Sequence, residues 1–262
     1  MLDAAPSGPR PDAPRGAWRL VRGTWLLAFA WTALAVYVTV VTVFVAATLK
    51  VGHRRYSHFL LRGCGRLILA IAGIRLRVTG AEHVTGRAMR IVAFNHASQL
   101  DMFIAAAVVP PGGTGIAKKE VMWIPFIGQA VWACGGISID RGNLEHAKAS
   151  LARAAQLIEE IQATVMFSPE GTRSRTGELG PFKLGLFHLA LATRAPIVPM
   201  VIRGAKECQP MGHVIPDPGV VDVEFLPPIA TTDFTPENLH NHRDALRALF
   251  VRALEARTPG AA

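Results

Sequence analysis

The chain has 262 residues, half of them apolar and 18% charged, with 24 glycines, 18 prolines and three cysteines. These figures exclude a disordered, collagen-like or disulfide-stapled protein and leave enough chain for one α/β domain with a sizeable core. The formal net charge of +9 calls for an anionic partner, and its placement along the chain says which kind.

Residues 1–17, rich in Pro, Ala and Gly, read as a disordered tail. Between Ala13 and Ala81 there is no acidic residue and there are ten basic ones, including Arg15, Arg19, Arg22, Lys50, Arg54 and Arg55. From Glu82 onward 17 basic residues balance 17 acidic ones, so the whole excess sits in the N-terminal third. Inside that third lies Thr24–Leu49, an apolar run without a charge. Basic flanks around such a run indicate an anionic membrane surface and not nucleic acid. At about 1.5 Å per residue the run reaches roughly 39 Å, beyond the ~30 Å of a bilayer's hydrocarbon. It also exceeds the roughly 7–15 residues of a signal-peptide core, so a retained anchor is expected.

A second apolar stretch, Phe59–Ile74, carries Arg62 and Arg66 on one helical face. It suits a helix lying in the membrane interface, or an ordinary amphipathic core helix. The nearly equal basic flanks allow either a crossing or a helical pair that enters and leaves one leaflet. The balance of charge leans toward a cytoplasmic position for the C-terminal part. The expected organisation is therefore a tail over 1–17, membrane-anchoring helices over 18–74 and a globular domain over 75–262.

Beyond Gly80 short apolar runs alternate with helical stretches. Arg90–Phe94, Gly136–Ile139, Thr164–Phe167, Ile197–Ile202 and Val220–Phe225 read as strands, with Leu76–Val78 and Thr114–Ala117 as weaker candidates. Helices are expected at Asp101–Val108, Leu144–Gln162, Lys183–Thr193 and Pro236–Ala256. This order implies an α/β sandwich whose ligands collect at strand ends. Cys64, Cys134 and Cys208 are widely spaced and form no CxxC pair, so buried thiols are expected.

Four polar clusters fall at those strand ends. The first, Asn95-His96-Ala97-Ser98-Gln99-Leu100-Asp101, follows the RIVAF strand. Residues five apart on a straight helix point about 140° away from each other, so His96 and Asp101 can meet only if His96 occupies the turn before the helix. A carboxylate on one ring nitrogen would then fix the tautomer and leave the other nitrogen as a base; a polar helix-capping turn with an incidental histidine is the plainer reading. The second cluster, Ser168 to Arg175, places Gly171 and Arg173 in a loop suited to phosphate or carboxylate. The third is Asp140-Arg141, and the fourth is Ala117-Lys118-Lys119-Glu120 followed by Trp123-Ile124-Pro125-Phe126. Singly, each of these fits a salt-bridged strand end or a solvated turn.

Taken in order, the clusters resemble the 1-acylglycerol-3-phosphate acyltransferase family, within the glycerolipid acyltransferases. The matching blocks are NHASQLD, AKKEVMWIPFIG (Ala117–Gly128), GGISIDR (Gly135–Arg141), PEGTRS (Pro169–Ser174), PFKLG (Pro181–Gly185) and APIVPM (Ala195–Met200). Together they span Leu76 to Ile202. Ser168 departs from the aromatic or aliphatic residue usual before Pro-Glu-Gly, and Met200 from a frequent Val.

The resemblance implies an α/β fold with a mixed sheet flanked by helices, glycerol-3-phosphate acyltransferase-like, preceded by membrane-associated helices. It implies transfer of a fatty acyl group from a thioester, acyl-coenzyme A or acyl carrier protein, to the free sn-2 hydroxyl of lysophosphatidate or a related lyso-lipid, at the cytoplasmic membrane. By the same analogy His96 is the base and Asp101 its orienting carboxylate. Arg173, with Lys118 or Lys119 and Arg141, would hold the acceptor phosphate, and Gly171 and Thr172 of the same loop would bind the substrate beside it. Glu170 would be either a ligand to the glycerol hydroxyl or a partner of a nearby arginine. No metal or cofactor is expected. A membrane-anchored serine hydrolase would need the GxSxG elbow, which is absent; the nearest string is GISID. A non-enzymatic module binding anionic lipid would have no use for the His and Asp pair.

Overall fold

The computed structural model describes residues 17–47, 53–133, 135–140, 144–174 and 177–256. The expected tail, apart from Ala17, together with Cys134 and Arg141, therefore lies outside the described residues. Two helices come first, α1 (Ala17–Ala47) and α2 (His53–Ile71), and then the alternation anticipated from the sequence. In chain order it runs β1 (Ile74–Thr79), β2 (Arg90–Phe94), α3 (Leu100–Val108), β3 (Gly113–Lys118), α4 (Ile127–Ala133), β4 (Ile137–Ile139), α5 (Leu144–Ile161) and β5 (Thr164–Phe167). It closes with α6 (Gly185–Thr193), β6 (Ile197–Arg203), α7 (Ala205–Cys208), β7 (Gly219–Phe225) and α8 (Leu239–Glu255).

The seven strands form one mixed sheet in the order β1-β7-β6-β2-β5-β3-β4. Five neighbouring strands, β6, β2, β5, β3 and β4, are parallel; β7 runs antiparallel to β6, and β1 is parallel to β7. The central strand shows why the sheet is covered on both faces. All five residues of β2 are buried, and such unbroken apolarity is what a strand roofed twice requires. Ile91 and Ala93 point to a core formed with Ala154 and Ile158 of α5, Leu186 and Phe187 of α6, and Leu246 and Phe250 of α8. Val92 and Phe94 point the other way, toward Leu69 of α2 and Ile104 and Ala105 of α3. Each of the large side chains buried there contributes about 1.5–3 kcal/mol of transfer free energy.

Both weak strand candidates are real strands, and the four expected helices appear with ends shifted by at most three residues. The stretch Phe59–Ile74 resolves into the C-terminal part of α2 and the first residue of β1. Leu69 is buried in the core, and Gly65 lies directly against the backbone of Phe103 and Ala107 in α3. Of the two readings the core helix fits, although Phe59 and Arg66 face outward. Helix α1 packs outside this layer: Leu34, Val38, Val41 and Val45 are buried along one stripe, and the Tyr37 hydroxyl donates to the Leu60 carbonyl at 2.6 Å. Val41 and Val45 close on Ala133 of α4. The segment Gly23–Val45 is long and apolar enough to cross a membrane, and most of its surface is exposed.

Cys64 is half-buried and Cys208 buried, both as free thiols. Burial pushes the Cys64 thiol up to about 11, so it is an inert apolar filler at neutral pH.

Candidate active site

Because β2, β5, β3 and β4 are parallel neighbours, the chain leaves all four at the same edge of the sheet. The four polar clusters are therefore brought to one side, His96 following β2, Glu170–Arg173 following β5, Lys119 following β3 and Asp140 following β4. Open α/β sheets bind ligands at this carboxyl edge.

His96 sits in the turn between β2 and α3, the one placement that lets it reach Asp101. Its Nδ1 lies 3.1 Å from Asp101 Oδ2. The same oxygen accepts the Ser98 backbone N–H at 2.7 Å, and Asp101, in the first turn of α3, is fully buried. A carboxylate only accepts, so Nδ1 carries the proton and Nε2 keeps a free lone pair. Nε2 has no partner among the described residues, and the His96 side chain is 16% exposed. Asp101 Oδ1 is buried without a partner among the described residues.

The main chain of His96 is held from the loop after β5. Its N–H donates to Glu170 Oε1 at 2.8 Å, and its carbonyl accepts the Ser174 N–H at 2.9 Å. Glu170 Oε2 accepts the Gly180 N–H at 2.8 Å. Glu170 is thus a buried bracket between two strand-end loops, and its partners are backbone amides. Burial pushes its carboxyl above the ordinary 4.5 despite the two amides, which favour the charged form. Gly171 turns the chain at φ 71°, a conformation that suits glycine, and Thr172 is exposed beside it. Arg173 is half-buried and makes no hydrogen bond or ion pair with the described residues. As the neighbour of Ser174, it stands where the loop meets His96.

Lys118 and Lys119 lie two strands away from β2, exposed and already paired, Lys118 with Glu120 at 3.2 Å and Lys119 with Asp140 at 2.8 Å. The hydrogen bond to Asp140 raises the Lys119 ammonium above its ordinary value. The structure thus joins His96, Asp101, Glu170 and Ser174 directly and leaves the two lysines in separate ion pairs.

Three further residues build the site. The Asn95 side chain donates to the Ile202 carbonyl at 2.9 Å and accepts the Ile202 N–H at 2.8 Å, extending the β2–β6 ladder one step with an amide side chain. The Ser98 hydroxyl donates to the Gln209 carbonyl at 3.2 Å and accepts the Leu100 N–H at 3.3 Å. Asn95 and Ser98 stand inside the NHASQLD string, where small polar residues at a strand-to-helix turn signal local backbone bonding. Gln209 has no such signal, being more than a hundred residues away. Beside this turn opens a cleft of about 540 Å³ bordered by Ala97, Glu170, Leu179, Arg203, Lys206 and Arg247. Arg203 is paired with Glu224, and Arg247 donates to the carbonyls of Leu179 and Gly180, whereas Lys206 has no partner among the described residues.

A family model described as Acyltransferase matches residues 75–203. The 1-acyl-sn-glycerol-3-phosphate acyltransferase of Limnanthes douglasii is 39% identical over 201 residues, covering 77% of this chain and 69% of that one. The alpha form of the mouse enzyme of that name is 35% identical over 67% of this chain and 62% of its own length. The Salmonella typhimurium enzyme is 34% identical over 59% and 62%. The crystal structure of the 1-acyl-sn-glycerophosphate (LPA) acyltransferase PlsC from Thermotoga maritima matches the fold with a TM-score of 0.75, covering 92% of this chain and 99% of that one at 24% identity. With the strand-end histidine and aspartate in contact and this degree of likeness over most of its length, the chain belongs to the 1-acyl-sn-glycerol-3-phosphate acyltransferase family.

Proposed function

We propose that the protein transfers a fatty acyl group from a thioester to the free sn-2 hydroxyl of lysophosphatidate, giving phosphatidate for phospholipid synthesis. The observation that carries this reading is the 3.1 Å contact of His96 Nδ1 with the buried Asp101 carboxylate, which leaves Nε2 as an oriented base. Nε2 takes the hydroxyl proton as the oxygen attacks the thioester carbonyl. Asp101 holds the ring and offsets the positive charge that forms on it. A carbon–oxygen bond forms, the carbon–sulfur bond breaks, and the departing thiolate recovers the proton from the imidazolium. The products are phosphatidate and a free thiol, and no acyl-enzyme forms.

Arg173 supplies the fork for the acceptor phosphate. It has no competing partner among the described residues, and its loop is hydrogen-bonded to the His96 backbone, which supports a set distance from phosphate to base. Lys118 and Lys119 assist only by releasing Glu120 and Asp140. The acyl donor is a coenzyme A or acyl carrier protein thioester. The exposed apolar surface of α1 and the basic N-terminal third attach the enzyme to the cytoplasmic membrane, with the sheet on the cytoplasmic side.

The test is thiol release from an acyl thioester across a panel of lyso-lipids. Lysophosphatidate should be the preferred acceptor, and His96→Ala should lower turnover by about 10²–10⁴-fold. Preference for an acceptor without a terminal phosphate, or retention of more than about a tenth of the activity by His96→Ala, would overturn the reading.

A further inference from the structure

The segment between α7 and β7, Gln209–Pro218, leaves and re-enters the sheet at the edge that carries His96, because β7 starts where β6 ends. Its shape is set by internal bonds. The Gln209 side-chain amide donates to the Val214 carbonyl at 3.1 Å, the His213 N–H donates to the Pro210 carbonyl at 3.0 Å, and the Asp217 N–H to the Cys208 carbonyl at 2.7 Å. The result is a closed projecting loop. It exposes Val214 to 64% and Met211 to 38%.

Two contacts connect this loop to the rest of the molecule. On one side Gln209 accepts the Ser98 hydroxyl, and Ser98 donates its N–H to Asp101. On the other, Ile215 occupies the space above the buried Gly23 of α1, where any side chain would collide with it. Two residues further along α1, Trp25 is 74% exposed. The loop therefore bridges the catalytic turn and the start of the long apolar helix. An exposed Val or Met is ordinary by itself. Here they closely precede Ile215, which packs on Gly23 at the start of a segment long enough to cross a membrane, so the loop sits beside that segment. In the sequence Arg15, Arg19 and Arg22 stand just before Gly23, a basic run that suits anionic headgroups.

We propose that Gln209–Pro218 is a membrane-contacting loop: Met211 and Val214 enter an anionic lipid surface beside the N-terminal end of α1, and the Gln209–Ser98 bond fixes the height of the catalytic turn above that surface. The partner is the bilayer. An amphiphilic acceptor whose acyl chain stays in the lipid then presents its head group to His96 from the side between loop and helix. The role in acceptor delivery rests on the lysophosphatidate reading; the lipid contact itself does not.

The test uses the full chain with vesicles of phosphatidylglycerol and phosphatidylcholine. Backbone amide exchange of residues 209–218 should slow when vesicles are added, and Val214→Asp should remove that slowing while leaving α1 protected. For a long-chain lysophosphatidate in vesicles, Val214→Asp should raise the apparent KM about tenfold, the scale set by burying one aliphatic side chain. For a short-chain soluble acceptor kcat/KM should stay within about twofold, and Val214→Leu should match the wild type on both. Exchange indifferent to vesicles, or equal losses on the two acceptors, would overturn the proposal, the second by showing a structural role or a protein-facing one. If the wild type acylates no lysophosphatidate, the assigned reaction fails, and the exchange result still decides the lipid contact.

Discussion

His96 is fixed at three points, the ring by Asp101, the N–H by Glu170 and the carbonyl by Ser174, and each point answers to a different change. Glutamine at position 170 offers one oxygen and one amide group, so either the His96 or the Gly180 N–H loses its acceptor, a cost of about 1–3 kcal/mol for a buried donor. Glu170→Gln should therefore lower the urea midpoint at neutral pH and reduce turnover by letting His96 drift from Asp101. The pH dependence has a definite sign. Burial raises the Glu170 carboxyl above 4.5, so the folded chain holds this proton more tightly than the unfolded one. The resulting stability is complete below 4.5 and is lost as pH rises through the raised value. Glu170→Gln removes that slope, which urea midpoints taken upward from pH 4.5 will show. Arg173→Lys keeps the charge and loses the planar fork, so it should raise the acceptor KM strongly and leave the thioester KM nearly unchanged. A rise in the thioester KM alone would place the donor's phosphate at Arg173.

The strands and long helices were readable because each carries its own pattern, period two or unbroken apolarity for strands and 3.6 for helices. The elements missed, α4 with seven residues and α7 with four, are too short to complete a recognisable period. The contact between α2 and α3 depends on something that periodicity does not show. A Cβ at Gly65 would stand 2.5 Å from both the Phe103 carbonyl and the Ala107 nitrogen, which are backbone atoms and cannot rotate away. Gly65→Ala should cost about 1–3 kcal/mol by overpacking and lower Tm by about 2–4 °C per kcal/mol in a domain of this size. Arg62, one turn before Arg66 on α2, donates Nε to the Val109 carbonyl at 2.6 Å and closes the end of α3. Arg62 thus serves as a helix cap, a role that only the neighbouring helix could reveal.

At the scale of the molecule, α1 is bound along its length to the domain, from Gly23 against Ile215 to Val45 against Ala133. Deleting residues 1–50 should leave all seven strands, since every one begins at Ile74 or later, and circular dichroism will check the sheet. The same deletion removes the exposed apolar face of α1, including Trp25, Phe29 and Val40, and all four basic residues before Gly23. The shortened protein should therefore sediment with anionic vesicles at low salt and leave them at high salt, where screening shortens to a few ångströms. Its activity on vesicle-bound acceptor should fall, with activity on a short-chain soluble acceptor retained. Salt-resistant binding would show that α2 inserts in the bilayer by itself.

By itself the amino-acid sequence determined what depends on neighbours along the chain: the strand and helix alternation, the basic apolar N-terminal third, and the five-residue interval that required His96 to precede its helix. It determined the family too, because six short blocks keep their order and content. The tertiary structure decided what depends on partners distant in the chain. Glu170 could be read from the sequence as a substrate ligand or an arginine's partner, and the fold makes it a bracket on the His96 and Gly180 amides. Lys118 and Lys119 carried the right charge for a phosphate site, and the strand order set them two strands from His96, in ion pairs with Glu120 and Asp140. Asn95 and Gln209 gained their roles only when β2 met β6 and when Ser98 came within reach of the end of α7. The reason is common to all of these. A hydrogen bond forms with whatever donor or acceptor the packed sheet brings within about 3 Å, and no local pattern encodes which one that will be.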